Sequence, residues 1–140
     1  PYNVSKNKIE EILSNKPKII FKKIAKSPGV GLVNGLYATS TGVGGLTIIE
    51  AGKTHSETKF SLELTGQQGD VMKESMKCAK TIAWNLLPQE IKNKIQEDWK
   101  NNGAWGLHIH CPDAATPKDG PSAGGAITLS IVSQLSGIPA

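Results

Sequence analysis

The residues best suited to chemistry lie close together, in His108-Ile109-His110-Cys111-Pro112-Asp113-Ala114-Ala115-Thr116-Pro117-Lys118-Asp119-Gly120-Pro121-Ser122-Ala123-Gly124. Ser122 stands where a Pro-rich turn gives way to Ala123, Gly124, Gly125, Ala126 and a run of aliphatics. A serine at a helix start faces free backbone N–H groups and the positive end of the helix dipole. That place suits a nucleophile whose attack creates an oxyanion. It also suits an ordinary N-cap, for which serine is a favoured residue. A serine hydroxyl is a weak nucleophile and needs a base, either a histidine or a lysine whose pKa burial has lowered. His108 and His110 fall on one face of a strand by alternation, so either is a candidate partner, with Asp119 to orient it. The same His-x-His pair has a metal-ligand spacing, for which Cys111, Asp113 or His55 would supply a third ligand.

The elements that must carry these residues follow from periodicity. Trp105 to Cys111 reads as a strand leading into the turn. Ile127, Leu129, Ile131, Val132 and Leu135 give the helix after Ser122 a buried face, and Gly137 with Pro139 ends it. Upstream, residues 5–14 suit a short helix capped by Ser5, with Ile9, Ile12 and Leu13 on one face. Residues 15–28 read as a basic linker. Pro28-Gly29 opens the compact part: strands from Val30 to Ala38 and from Gly45 to Ala51 joined as a hairpin, a polar loop from Gly52 to Glu57, and a half-buried strand from Thr58 to Thr65. A helix carrying Val71, Met72, Ser75, Ala79, Ile82 and Ala83 as a core stripe runs to Pro88, and residues 89–100 form another, with Ile91, Ile95 and Trp99 inward. The order implies an α+β fold, a mixed β-sheet with covering helices.

The turn entering the first long helix is itself distinctive: Thr65-Gly66-Gln67-Gln68-Gly69-Asp70-Val71-Met72-Lys73-Glu74-Ser75. It lacks the lysine and hydroxyl ending of a phosphate-binding loop. This segment and Pro117 to Gly124, in this order, resemble the two signatures of the peptidase domain of the ATP-dependent Lon proteases, and the likeness covers nearly all of the chain from residue 29. The resemblance implies a domain division: residues 1–28 as the end of an ATPase module and its linker, and residues 29–140 as the front part of a Lon-type peptidase domain. It implies that Ser122 is the nucleophile of a Ser–Lys dyad in a serine endopeptidase that degrades unfolded, damaged or regulatory proteins. Lys118, Asp119, Gly120 and Pro121 then belong to the active-site loop, and His108 and His110 support the site. The resemblance further implies extended polypeptides as substrates, a hexameric ring, and ATP with magnesium bound by the ATPase part. No cofactor motif lies in residues 29–140. Bacterial cytoplasm fits this reading, with the mitochondrial matrix as the alternative.

The sequence departs from that pattern twice. The dyad lysine of the family lies in a helix some tens of residues beyond the serine, whereas the last lysine here is Lys118, which is not the family's base. The expectation is a fragment that ends before the lysine and is inactive by itself. Gly125 stands where the family usually has an aliphatic residue. The contrasting reading is a catalytically incomplete module that grips extended peptides by strand addition, or serves assembly.

Composition sets outer bounds. Lysines in residues 1–28 outnumber acids enough to hold the whole net charge of +4, and the chain has no arginine. Arginine carries most specific phosphate and base recognition, so nucleic acid is not an expected partner. No apolar run is long enough to span a membrane. Cys78 and Cys111 have neither disulfide-framework nor metal-like spacing, and both are expected to be buried thiols.

Overall fold

The computed structural model describes residues 5–13, 24–38, 44–66, 68–112 and 122–140. Its elements are α1 (Lys6–Leu13), β1 (Leu32–Ala38), β2 (Gly44–His55), β3 (Leu62–Thr65), α2 (Asp70–Leu86), α3 (Gln89–Asn102), β4 (Trp105–His110) and α4 (Gly124–Ser136). The expected α+β architecture is present: one four-stranded mixed sheet, ordered β1-β2-β4-β3, with helices against it. β1 and β4 both pair antiparallel with β2, while β3 pairs parallel with β4. A parallel pair needs a long crossover, here supplied by α2 and α3. None of the described helices is long and apolar enough to cross a membrane.

The core forms where the inward face of the sheet meets α2 and α4. Leu107, Ile109 and Ile49 are fully buried, as are Met76, Ile127 and Ile131 from the helices. β4 is hydrogen-bonded on both sides, which explains its almost continuous burial. Its outward positions are His108 and His110, both half-buried.

α4 is stitched to the start of the sheet by buried hydroxyls. Ser130 donates to the Gly31 carbonyl at 2.7 Å, and the Gly31 N–H donates to Ser133 Oγ at 2.9 Å. The Ala51 N–H also donates to the Gly31 carbonyl, at 2.9 Å. Gly31 has φ +75°, and a Cβ there would collide with the Ala51 carbonyl oxygen. The interruption that Gly31 makes in the sequence is therefore a close approach of three elements.

Several boundaries differ from the sequence reading, for physical reasons. β2 continues through residues 52–55, read as a loop, because these polar residues pair with β4 from Gly52↔His108 to His55↔Trp105. Lys53 compensates for its place there, with Nζ 4.3 Å from the Trp105 ring centroid. The strand predicted from Thr58 begins only at Leu62, since Phe60 takes φ +57° and turns the chain. The inward stripe of α2 is Met72, Met76, Ala79 and Ala83, while Val71 and Ile82 are about half exposed. Cys111 is buried as expected, but Cys78 is exposed. The turn of the first hairpin and most of the basic linker, residues 39–43 and 14–23, lie outside the described residues.

Candidate active site at the start of α4

Ser122 does not cap α4 as its position in the sequence implied. It lies in a turn, exposed, one residue before the N-cap Ala123, and that cap makes no side-chain hydrogen bond. The first intrahelical bond runs from the Ile127 N–H to the Ala123 carbonyl at 2.9 Å. An α-helix leaves its first N–H groups without intrahelical partners. Here they belong to Gly124, Gly125 and Ala126, two glycines and an alanine that cover little of the backbone. No acidic side chain occupies the first turn of α4, so the positive end of its dipole is not neutralised from within the helix.

A cavity of about 350 Å³ opens beside this helix start, lined by Ser75, Cys78, Ala79, Ile82, Gly124, Gly125 and Thr128. It is an open groove between α2 and α4, which pack on one another beneath it. At Gly124 the two helices close up: a Cβ there would lie 3.0 Å from Ser75 Oγ. At Gly125 a Cβ would meet nothing within 4 Å. Gly125 therefore faces open space in the cavity.

The two segments singled out in the sequence meet at both ends. At one end Ser75 approaches Gly124. At the other, Thr65 Oγ1 lies 2.8 Å from His108 Nε2 and 2.7 Å from His110 Nδ1. One hydroxyl has one proton, so it can donate to at most one of the two rings and must accept an N–H from the other wherever both bonds form; the histidine tautomers set which. The backbone is fixed at the same point. The Cys111 N–H donates to the Thr65 carbonyl at 3.2 Å, and buried Gln68 donates to that carbonyl through Nε2. Gly66, at φ +107°, packs so closely on Cys111 that a Cβ would strike its carbonyl oxygen. Thr65 is the residue that sequence reasoning missed as a partner of the histidines. The parallel register of β3 on β4 sets Thr65 opposite His110, a long-range pairing that alternation along either strand does not reveal.

Lys118, Asp119, Gly120 and Pro121 lie outside the described residues. Among the described residues, neither imidazole is hydrogen-bonded to Ser122, so the Ser–His pairing is not brought together. Nor do His, Cys, Asp and Glu side chains group in threes to hold a metal ion among the described residues. Buried Cys111 falls on the opposite side of the strand from His108 and His110. The carboxylate with a perturbed pKa lies on α3. Asp98 sits below the ordinary aspartate value, chiefly because the Asn102 amide donates to Oδ1 at 2.7 Å, then because the Trp105 indole donates to Oδ2 at 2.7 Å. Lys53, 3.8 Å away, adds to this and desolvation opposes it. These contacts tie α3 to β4.

The family model for the Lon protease (S16) C-terminal proteolytic domain matches residues 3–140. The chain is 42% identical over 128 residues to a Lon protease homolog of Acanthamoeba polyphaga mimivirus, covering 88% of this chain and 12% of that protein. It is 47% identical over 109 residues to a Lon protease of Campylobacter jejuni, covering 74% of this chain and 13% of that protein. It is 41% identical over 119 residues to the mitochondrial Lon protease homolog 1 of Arabidopsis thaliana, covering 84% and 12% respectively. The chain thus spans about an eighth of the length of these curated relatives.

Proposed function

This chain belongs to the Lon protease (S16) C-terminal proteolytic domain family, and from that premise we propose that it forms the nucleophile-bearing part of an ATP-dependent serine endopeptidase. Ser122 is the nucleophile. The observation that supports it most is its place: exposed, one residue ahead of an N-cap without a side-chain partner, with glycines opening the helix. In peptide hydrolysis the Ser122 hydroxyl adds to the scissile carbonyl as it gives its proton to a base, and the base passes that proton to the nitrogen as the C–N bond breaks, releasing the amine and leaving an acyl-enzyme. Water then releases the acyl group. The N–H groups at the start of α4 stabilise the oxyanion formed in each step.

The base in this reading is a neutral lysine of the kind the family carries beyond its serine; residues 123–140 hold no lysine. His108 and His110 hold the shape of the site through Thr65 and do not exchange protons with Ser122. The loop bearing Lys118 and Asp119 controls access. Substrates are unfolded, damaged or regulatory proteins entering as extended chains. In a longer polypeptide, an ATPase part that binds ATP and magnesium delivers them to a hexameric ring, in bacterial cytoplasm or in the mitochondrial matrix.

Two measurements test the reading. The 140-residue chain incubated with unfolded casein leaves it intact; hydrolysis by this chain that vanishes in Ser122→Ala would refute the external base. Peptide binding that survives Ser122→Ala, together with no labelling of Ser122 by an aryl phosphonate in a polypeptide that contains the downstream lysine, would replace the protease with a binding module.

A further inference from the structure

Asn102-Gly103 ends α3, and Asn34-Gly35 lies within β1. The two pairs have the same covalent structure and opposite surroundings. An asparagine followed by glycine can close a ring on itself, because no Cβ shields the glycine nitrogen from the side-chain amide. Closure needs that nitrogen free of a hydrogen bond and the backbone able to turn.

At Asn34-Gly35 the fold opposes both. Gly35 is buried and paired with Thr47 in the sheet, and a Cβ there would lie 2.9 Å from Ile49 Cδ1. At Asn102-Gly103 nothing opposes either. Both residues are exposed, and a Cβ on Gly103 would meet nothing within 4 Å. The residues that follow α2 and α4, Leu87 and Gly137, donate their N–H groups to the Trp84 and Ser133 carbonyls, at 3.3 and 2.9 Å. The Gly103 N–H makes no such bond among the described residues. Helix ends of this kind fray.

The Asn102 amide also has a structural task. Its Nδ2 donates to Asp98 Oδ1 at 2.7 Å, while Asp98 Oδ2 accepts the Trp105 indole N–H at 2.7 Å. The amide thus supplies one of the donors to the carboxylate that joins α3 to the start of β4. Acyl transfer at Ser122 uses none of these residues.

We propose that Asn102 is a site of spontaneous deamidation whose product loosens α3 from β4. The Gly103 nitrogen bonds to Cγ of Asn102, and its proton passes through solvent to Nδ2. The Cγ–Nδ2 bond breaks and that nitrogen leaves as ammonia. Water then opens the cyclic imide at either carbonyl, giving aspartate or isoaspartate. Either product sets a carboxylate where Asp98 had an N–H donor, and like charges so placed disfavour one another. A negative charge in the last turn also opposes the helix dipole. Isoaspartate further lengthens the main chain by a methylene just where α3 turns toward β4.

The test incubates the 140-residue chain in mildly alkaline buffer and locates the modification by peptide mapping with mass spectrometry. Asn102 should convert at least about tenfold faster than Asn34, which reacts only when the sheet opens. The deamidated chain, separated by its added negative charge, should unfold at a lower urea concentration than fresh chain. Asn102→Gln, whose longer side chain closes such a ring far more slowly, should keep its starting midpoint through the same incubation. Fresh and aged wild type decide alone if that variant misfolds. An Asn102 still intact after a synthetic peptide of residues 99–104 has converted, conversion at Asn34 first, or an unchanged midpoint in the separated product overturns the proposal.

Discussion

Thr65 Oγ1 lies 2.7 Å from His110 Nδ1, joining the glycine-rich turn before α2 to the strand that leads to Ser122. The same oxygen reaches His108 Nε2 at 2.8 Å. Thr65→Val keeps the shape of the side chain and removes both hydrogen bonds. Because the site is open to water, the released ring nitrogens can be rehydrated, and the expected loss is about 1 kcal/mol. Urea unfolding of the two proteins measures it. A loss well above that would mean that the histidines are desolvated in solution and that Thr65 is a core residue.

The bond between Ser130 and Gly31 predicts two unequal effects. Ser130→Ala removes one donor from the Gly31 carbonyl, which keeps the Ala51 N–H, so the loss should be about 1 kcal/mol. Gly31→Ala meets both a positive φ and the Ala51 carbonyl, and should cost more than about 3 kcal/mol or prevent folding. Denaturation midpoints of the two variants rank them directly.

Asp98 gives the fold an acid-sensitive limb. Its pKa is lowered on folding by the Asn102 and Trp105 hydrogen bonds, so the folded state favours the carboxylate. That contribution is fully present above the unfolded value of about 3.9, and is lost as pH falls through the lower folded value. Thermal midpoints measured from neutral pH down to about pH 2.5 should therefore fall less steeply in Asp98→Asn than in wild type at the acid end. The variant should also be the less stable of the two at neutral pH.

Gly125 should tolerate substitution. A Cβ there meets nothing within 4 Å, and its φ is not in the left-handed region. Gly125→Ala should stabilise the chain by about 0.5 kcal/mol, through helix propensity and a less flexible unfolded state. A small rise in thermal midpoint is the expected readout. A fall would show that the cavity between α2 and α4 does not have the open geometry described here.

The sequence disclosed most where a pattern had one physical reading. Alternation placed His108 and His110 on one face of β4, and the periodicity after Ser122 located α4. It was weaker where long-range contacts decide. Gly52 to His55 looked like a loop because its residues are polar, yet backbone pairing with β4 holds them in the sheet. Val71 and Ile82 looked like core because they are aliphatic, but the inward line of α2 is set by the faces of β4 and α4 and runs through Met72 and Met76. At the site, the position of Ser122 near a helix start was legible. That Ala123 is the cap was not, because the choice depends on how the Gly124 turn seats against Ser75.

Ser122 as the nucleophile is open to direct measurement. The most direct measurement compares ATP-dependent casein degradation by a polypeptide that carries this sequence together with the ATPase part and the downstream lysine, with and without Ser122→Ala. Proteolysis should fall by at least about 10⁴-fold, as removing a serine nucleophile produces, while ATP hydrolysis continues. Casein degradation that persists in Ser122→Ala would contradict it.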